Sequence, residues 1–74
     1  MIMRNVYFTR EFVDGTLKGL TYDYEMSYPE EVFERYFKKF EKDVETGRVI
    51  DPVIGGSKYK IISCRAGSPY ERSI

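Results

Sequence analysis

Apolar and polar residues alternate with a period of two along most of the first 28 positions. In "MRNVYFTREF" and the residue before it, Ile2, Val6, Phe8 and Phe12 share one parity, while Asn5, Thr9 and Glu11 share the other. Successive side chains of an extended chain point to opposite faces, so the pattern predicts a half-buried strand over Met3–Phe12. Arg4 and Arg10 occupy the apolar parity near its two ends, where a long aliphatic stem can follow the core and lift its charge to water. Asp14-Gly15 then marks a turn. In "GLTYDYEMSYPEE", Leu20, Tyr22, Tyr24, Met26 and Tyr28 lie on one parity, and Thr21, Asp23, Glu25 and Ser27 on the other. This is a second strand, with an aromatic face turned to the core and an acidic face turned to water.

The period changes at Pro29. Phe33, Tyr36, Phe37, Phe40 and Val44 follow i, i+3, i+4, i+7 spacing and make one apolar stripe on a helix. Proline fits a first helical turn, and Glu30 and Glu31 suit the positive end of the helix dipole. Ser27 with Glu30 has capping-box spacing, although a residue before proline avoids the α region and makes Tyr28 the competing N-cap. Gly47 is placed to end the helix in a left-handed conformation. Beyond it, "RVIDPVI" and "KYKIISCR" flank "GGS" and read as two short strands around a glycine turn. Pro52 puts the first of them at an edge. The tail 66–74, "AGSPYERSI", has no periodicity and reads as a loose segment or as an arm that orders on a partner.

The expected fold class is α+β. Residues 1–74 form one domain in ββαββ order, with one helix packed on an antiparallel or mixed sheet. A β-grasp sheet and a plain meander are both compatible with that order.

Composition narrows the chemistry. A domain of 74 residues hides only about 60% of its unfolded surface, so its core is small. Cys64 is the single cysteine and there is no histidine, which excludes an internal disulfide, a zinc site and the usual neutral-pH general base. No cofactor is expected. No run approaches the roughly 20 apolar residues of a membrane span, and the start shows no signal-peptide pattern, so the expected location is the cytoplasm, with no membrane partner. Net charge is zero but unevenly spread. Residues 19–34 hold Asp23, Glu25, Glu30, Glu31 and Glu34 with no Lys or Arg. From Thr46 onward Arg48, Lys58, Lys60, Arg65 and Arg72 face only Asp51 and Glu71. Complementary charge on a small core without a staple leads to the expectation of a homo-oligomer.

Three clusters are candidates for function. Gly55, Gly56 and Ser57, beside Lys58, Tyr59, Lys60 and Arg65, combine a glycine turn, cations and a ring. That set could hold a nucleotide or one nucleic-acid strand by charge and stacking. It lacks P-loop spacing, and an ordinary hairpin turn is the simpler reading. Asp23, Glu25, Glu30, Glu31 and Glu34 could mimic phosphate toward a basic protein site, against the simpler reading of a solvated face. Cys64 could act as a nucleophile, against the simpler reading of a small buried strand residue beside Ile62 in the same parity. No residue is assigned a catalytic role, and the chain is not expected to be an enzyme.

The segment "VYFTREFVDGTLKGLTYDYEMSYPEE" resembles the start of small uncharacterised accessory proteins of bacteriophages and prophages. The resemblance rests on "FTREF", "GTLKGLT" and the aromatic-proline helix start; it covers about a third of the chain and carries no catalytic motif. It implies a phage-encoded, non-catalytic binding protein in the host-cell cytoplasm, which blocks a host defence protein or sequesters its nucleotide signal. A nucleic-acid-associated regulator using the basic C-terminal hairpin is the alternative, followed by an enzyme using Cys64.

Overall fold

The alternating N-terminal run becomes the centre of the sheet. The computed structural model describes every residue except Val53, Ile54 and Ile74. Strand β1 (Ile2–Phe12) pairs antiparallel with β2 (Thr21–Pro29), matching Tyr7 with Glu25 and Phe8 with Tyr24. Helix α1 (Glu30–Thr46) starts directly from Pro29. Strand β3 (Tyr59–Ala66) then pairs antiparallel with the other side of β1, and β4 (Tyr70–Glu71) pairs with the start of β1. The order is β2-β1-β3 with β4 on β1, a single α+β domain in ββαββ order. One helix packs on a curled, half-barrel sheet whose ladders, among the described residues, are all antiparallel.

β3 and β4 form one interrupted line along β1. The register runs from Phe12↔Tyr59 to Arg10↔Ile61, then Thr9↔Ser63, so Ile62 is an extra residue without a partner in that ladder. A β-bulge of this kind moves every later side chain to the opposite parity. Ile61 and Cys64 therefore both face the helix, and Ile62 is 41% exposed. The expectation that Cys64 shares a face with Ile62 is corrected by this bulge. A second slip follows between Ala66 and Tyr70. The Gly67 N–H still donates to the Asn5 carbonyl (2.8 Å), and the chain then pairs Met3↔Tyr70. The aperiodic tail is thus held to β1 by backbone pairing, by Arg72 N–H to the Met1 carbonyl (2.8 Å) and by the amino terminus on Glu71 (2.8 Å).

The core is one-sided. Val6 and Phe8 of β1, Phe33 of α1 and Ile61 of β3 are buried together, with Tyr24, Tyr28, Phe37, Phe40, Val44, Ile50, Tyr59 and Cys64 packed around them. The helix lies mainly over β3, so the inward face of β2 is only partly covered. Tyr24 and Tyr28 pack, whereas Leu20, Tyr22 and Met26 of the same parity remain exposed. The aromatic face expected to turn to the core does so only at Tyr24 and Tyr28.

Two local expectations change. The capping box does not form: Pro29 is itself the N-cap, with φ −55° and ψ 141° and no side-chain cap bond. Ser27 Oγ donates instead to Asn5 Oδ1. The strand expected in "RVIDPVI" is reduced, among the described residues, to a single bridge between Ile50 and Tyr59; Val53 and Ile54 lie outside them. Pro52 has no N–H with which to extend that ladder. Gly47 behaves as expected, with φ 66° and its N–H on the Asp43 carbonyl (3.0 Å).

Candidate functional site: the open face of the sheet

With the helix on one side, the other side of the sheet presents side chains in rows set by register. β1 supplies the middle column: Asn5, Tyr7, Thr9 and Glu11. Across Tyr7 stand Glu25 of β2 and Arg65 of β3; across Thr9 stand Asp23 and Ser63; across Asn5 stands Ser27. Lys60 stands opposite Glu11 and pairs with it (Nζ to Oε1 3.3 Å). The β2 column therefore carries the acids Asp23 and Glu25 and the β3 column the bases Lys60 and Arg65, with the Asn5 amide, the Tyr7 phenol, the Thr9 hydroxyl and the Glu11 carboxylate between them.

These rows are tied together. Thr9 Oγ1 donates to Asp23 Oδ1 (2.8 Å), and Asn5 Nδ2 donates to the Tyr7 hydroxyl (3.3 Å). Tyr70 reaches across β1 from its place opposite Met3, so that its hydroxyl donates to Ser27 Oγ (3.0 Å). Met3, the register partner of Tyr70, is only 4% exposed although its parity is that of the open face. The Arg65 guanidinium lies over the Tyr7 ring, 4.3 Å from its centroid. A groove of about 540 Å³ follows the rows and is lined by Tyr7, Thr9, Asp23, Glu25, Ser63 and Arg65, among others. Opposite charges facing each other across a concave wall favour a ligand or surface that itself carries both signs.

The glycine-turn candidates do not form one surface. The Lys58 N–H, which an anion would need, already donates to Asp14 Oδ1 (2.7 Å). Ser57 sits against Gly15 of the first hairpin loop. Tyr59 faces the helix side, while Lys60 and Arg65 belong to the open face. The acidic candidates also separate. Asp23 and Glu25 line the groove; Glu30, Glu31 and Glu34 are exposed on α1, on the far side of the sheet. Burial first, then the nearby Glu41 charge, push the Cys64 thiol up, away from the thiolate a nucleophile needs. Burial and Tyr36 push the Tyr28 phenol up in the same way. Among the described residues, no group of three or more His, Cys, Asp or Glu could hold a metal ion, and no helix is long and apolar enough to cross a membrane.

Sequence reasoning missed Tyr7, Thr9 and Ser63, because their importance lies in cross-strand register. Arg10 stands out in the sequence only as a charge on the apolar parity, read as a stem that lifts its charge to water, and is not named there as a site residue. Arg10 points to the helix side, with its guanidinium carbon 4.0 Å from the Tyr24 centroid, 4.2 Å from Tyr59 and 5.5 Å from Phe8. No family model, curated protein or solved structure matches the chain.

Proposed function

We propose that this protein is a non-catalytic binding module that works by occupying a partner protein through the open face of its sheet. The observation that carries this reading is the row structure of that face: Asp23 and Glu25 on one wall, Arg65 on the other, and the Tyr7 phenol between them. A face fixed by cross-strand hydrogen bonds loses little side-chain freedom on docking, which favours affinity without turnover. The mixed signs favour a protein surface over a nucleic-acid strand, because the two β2 carboxylates would repel phosphates brought to Arg65 and Lys60. In the setting implied by the N-terminal resemblance, the partner is a host protein in the cytoplasm, and binding blocks it. The same face is self-complementary, so a second copy of the chain is a natural competitor for it.

The test is capture from a bacterial lysate, with mass spectrometry of what is retained. The wild-type protein should retain a host protein. Arg65→Glu and Glu25→Lys should each lose it, while Glu34→Lys, on the helix side, should keep it. Capture that survives both open-face variants would remove this face from the function. Retention of nucleic acid alone, weakening steeply with salt, would favour the regulator reading instead.

A further inference from the structure

On the helix side of the sheet, Arg10 occupies a place that the packing alone does not explain. Tyr24 of β2 and Tyr59 of β3 flank its guanidinium from the two strands on either side of β1. Ring faces this close favour a cation. Arg10 Nε is buried without a hydrogen-bond partner among the described residues. A buried donor in that state carries its full desolvation penalty.

Arg10 lines a cavity of about 310 Å³ at the end of the seam between α1 and the sheet. That is the lower end of the range for small-ligand sites, about 300–1,000 Å³. Lys39 and Arg48 line it too, so three cations from three segments converge there with one carboxylate, Asp43. Asp43 is already engaged by Arg48, through Nε to Oδ1 (2.9 Å) and Nη2 to Oδ2 (3.3 Å). Among the described residues neither Arg10 nor Lys39 has an acidic partner within ion-pair distance. The rest of the wall is apolar or aromatic, with Met26, Tyr36, Phe40 and Tyr59.

We propose that this seam cavity binds a small organic phosphate of mononucleotide size. A phosphate offers several oxygens to cations that approach from different elements, and a guanidinium edge matches it in geometry. The aromatic wall suits a flat organic group beside that phosphate. The site lies on the opposite side of the sheet from the groove, so it stands independently of the partner-protein reading.

The experiment uses adenosine 5′-monophosphate, pyrophosphate and adenosine as probes, with calorimetry and NMR observation of the Arg10 Nε–H and the Tyr59 ring. Adenosine 5′-monophosphate should bind one-to-one and shift both resonances; adenosine should bind at least about tenfold more weakly, as the loss of a charge-assisted contact implies. Lys39→Glu, at an exposed helix position, should weaken the nucleotide by about tenfold or more on the same basis. Arg10→Lys, which keeps the charge and removes the fork, should also weaken it, and Arg65→Ala, on the other face, should change nothing. Pyrophosphate binding as tightly as the nucleotide would reduce the site to an inorganic-anion site and overturn the organic part of the proposal. Unmoved Arg10 and Tyr59 resonances at millimolar nucleotide, or binding indifferent to Lys39→Glu, would overturn it entirely.

Discussion

A Cβ placed on Gly67 would lie 2.9 Å from Tyr7 Cε2 and 3.4 Å from the Asn5 carbonyl oxygen. The ring at the centre of the open face is therefore seated on a residue with no side chain, in the gap between β3 and β4. Gly67 has no left-handed backbone requirement, so its selection rests on this close approach. Gly67→Ala should force the Tyr7 ring to shift and should cost about 1–3 kcal/mol, as overpacking does. Urea denaturation gives the cost, and the Tyr7 ring resonances give the displacement. A variant with wild-type stability and unmoved Tyr7 shifts would show that the ring has room elsewhere.

The helix stripe makes a second prediction, with its weight on Phe33. Phe33 is 2% exposed, stacks with Phe37 at 5.4 Å between centroids and carries the Arg4 guanidinium 4.3 Å above its ring. Phe37 is only half-buried. Phe33→Ala should cost about 3–5 kcal/mol, and Phe37→Ala less. A domain of this length holds about 4–11 kcal/mol in total, so the Phe33 variant should lose a large share of its stability, and at the lower end of that range should be largely unfolded. Chemical denaturation monitored by far-UV circular dichroism ranks the two, and the reverse order would displace the core's centre toward the helix middle.

What the chain discloses before folding depends on whether the signal is local. β1, β2 and the helix each carry their own periodicity, so Val6, Phe8, Phe33 and Gly47 could be placed from spacing alone. β3 carries a bulge at Ile62, and a single extra residue defeats a parity argument made from one strand. β4 is held by backbone bonds to Ile2 and Met3, which leave no trace in side-chain type. The open face was half legible. Its acidic column alternates visibly along β2, but the placing of Glu25 and Arg65 on opposite sides of Tyr7 requires the order β2-β1-β3. Arg10 was noticed only as a break in the pattern, because nothing in the sequence brings Tyr24 and Tyr59 to it.

Alkaline pH should weaken the fold. Burial holds the Cys64 thiol above its ordinary value of 9.0 and the Tyr28 phenol above 10.0. In that range the unfolded chain releases protons that the folded chain keeps, so unfolding becomes easier as pH rises. The stability linked to Cys64 is complete below pH 9.0 and is lost as pH climbs toward the raised folded value; Tyr28 adds its loss above 10.0. Cys64→Ala should flatten the first part of that decline. Iodoacetamide should also label native Cys64 more slowly than the urea-unfolded chain at pH 8. Equal labelling rates, with a pH-independent melt up to 10, would place the thiol in open solvent.

Self-association is the last prediction, and the charge rows decide its geometry. β2 has no partner on its outer side among the described strands. Edge-to-edge pairing of two β2 strands would nevertheless bring Asp23 and Glu25 of both copies onto one face, where like charges oppose it. Stacking two open faces about a two-fold axis can instead set the β2 acids of one copy over Arg65 and Lys60 of the other. Tm should then rise with protein concentration, because partner burial stabilises a small core by mass action. Asp23→Lys with Glu25→Lys should give a monomer, as should Arg65→Glu with Lys60→Glu. Mixing the two double variants should restore a dimer, since the acid column of one then finds the base column of the other. Sedimentation velocity reads all three cases. A monomer at every concentration, with a concentration-independent melt, would mean that the one-sided core is sufficient alone; a dimer untouched by either double variant would move the contact away from the open face.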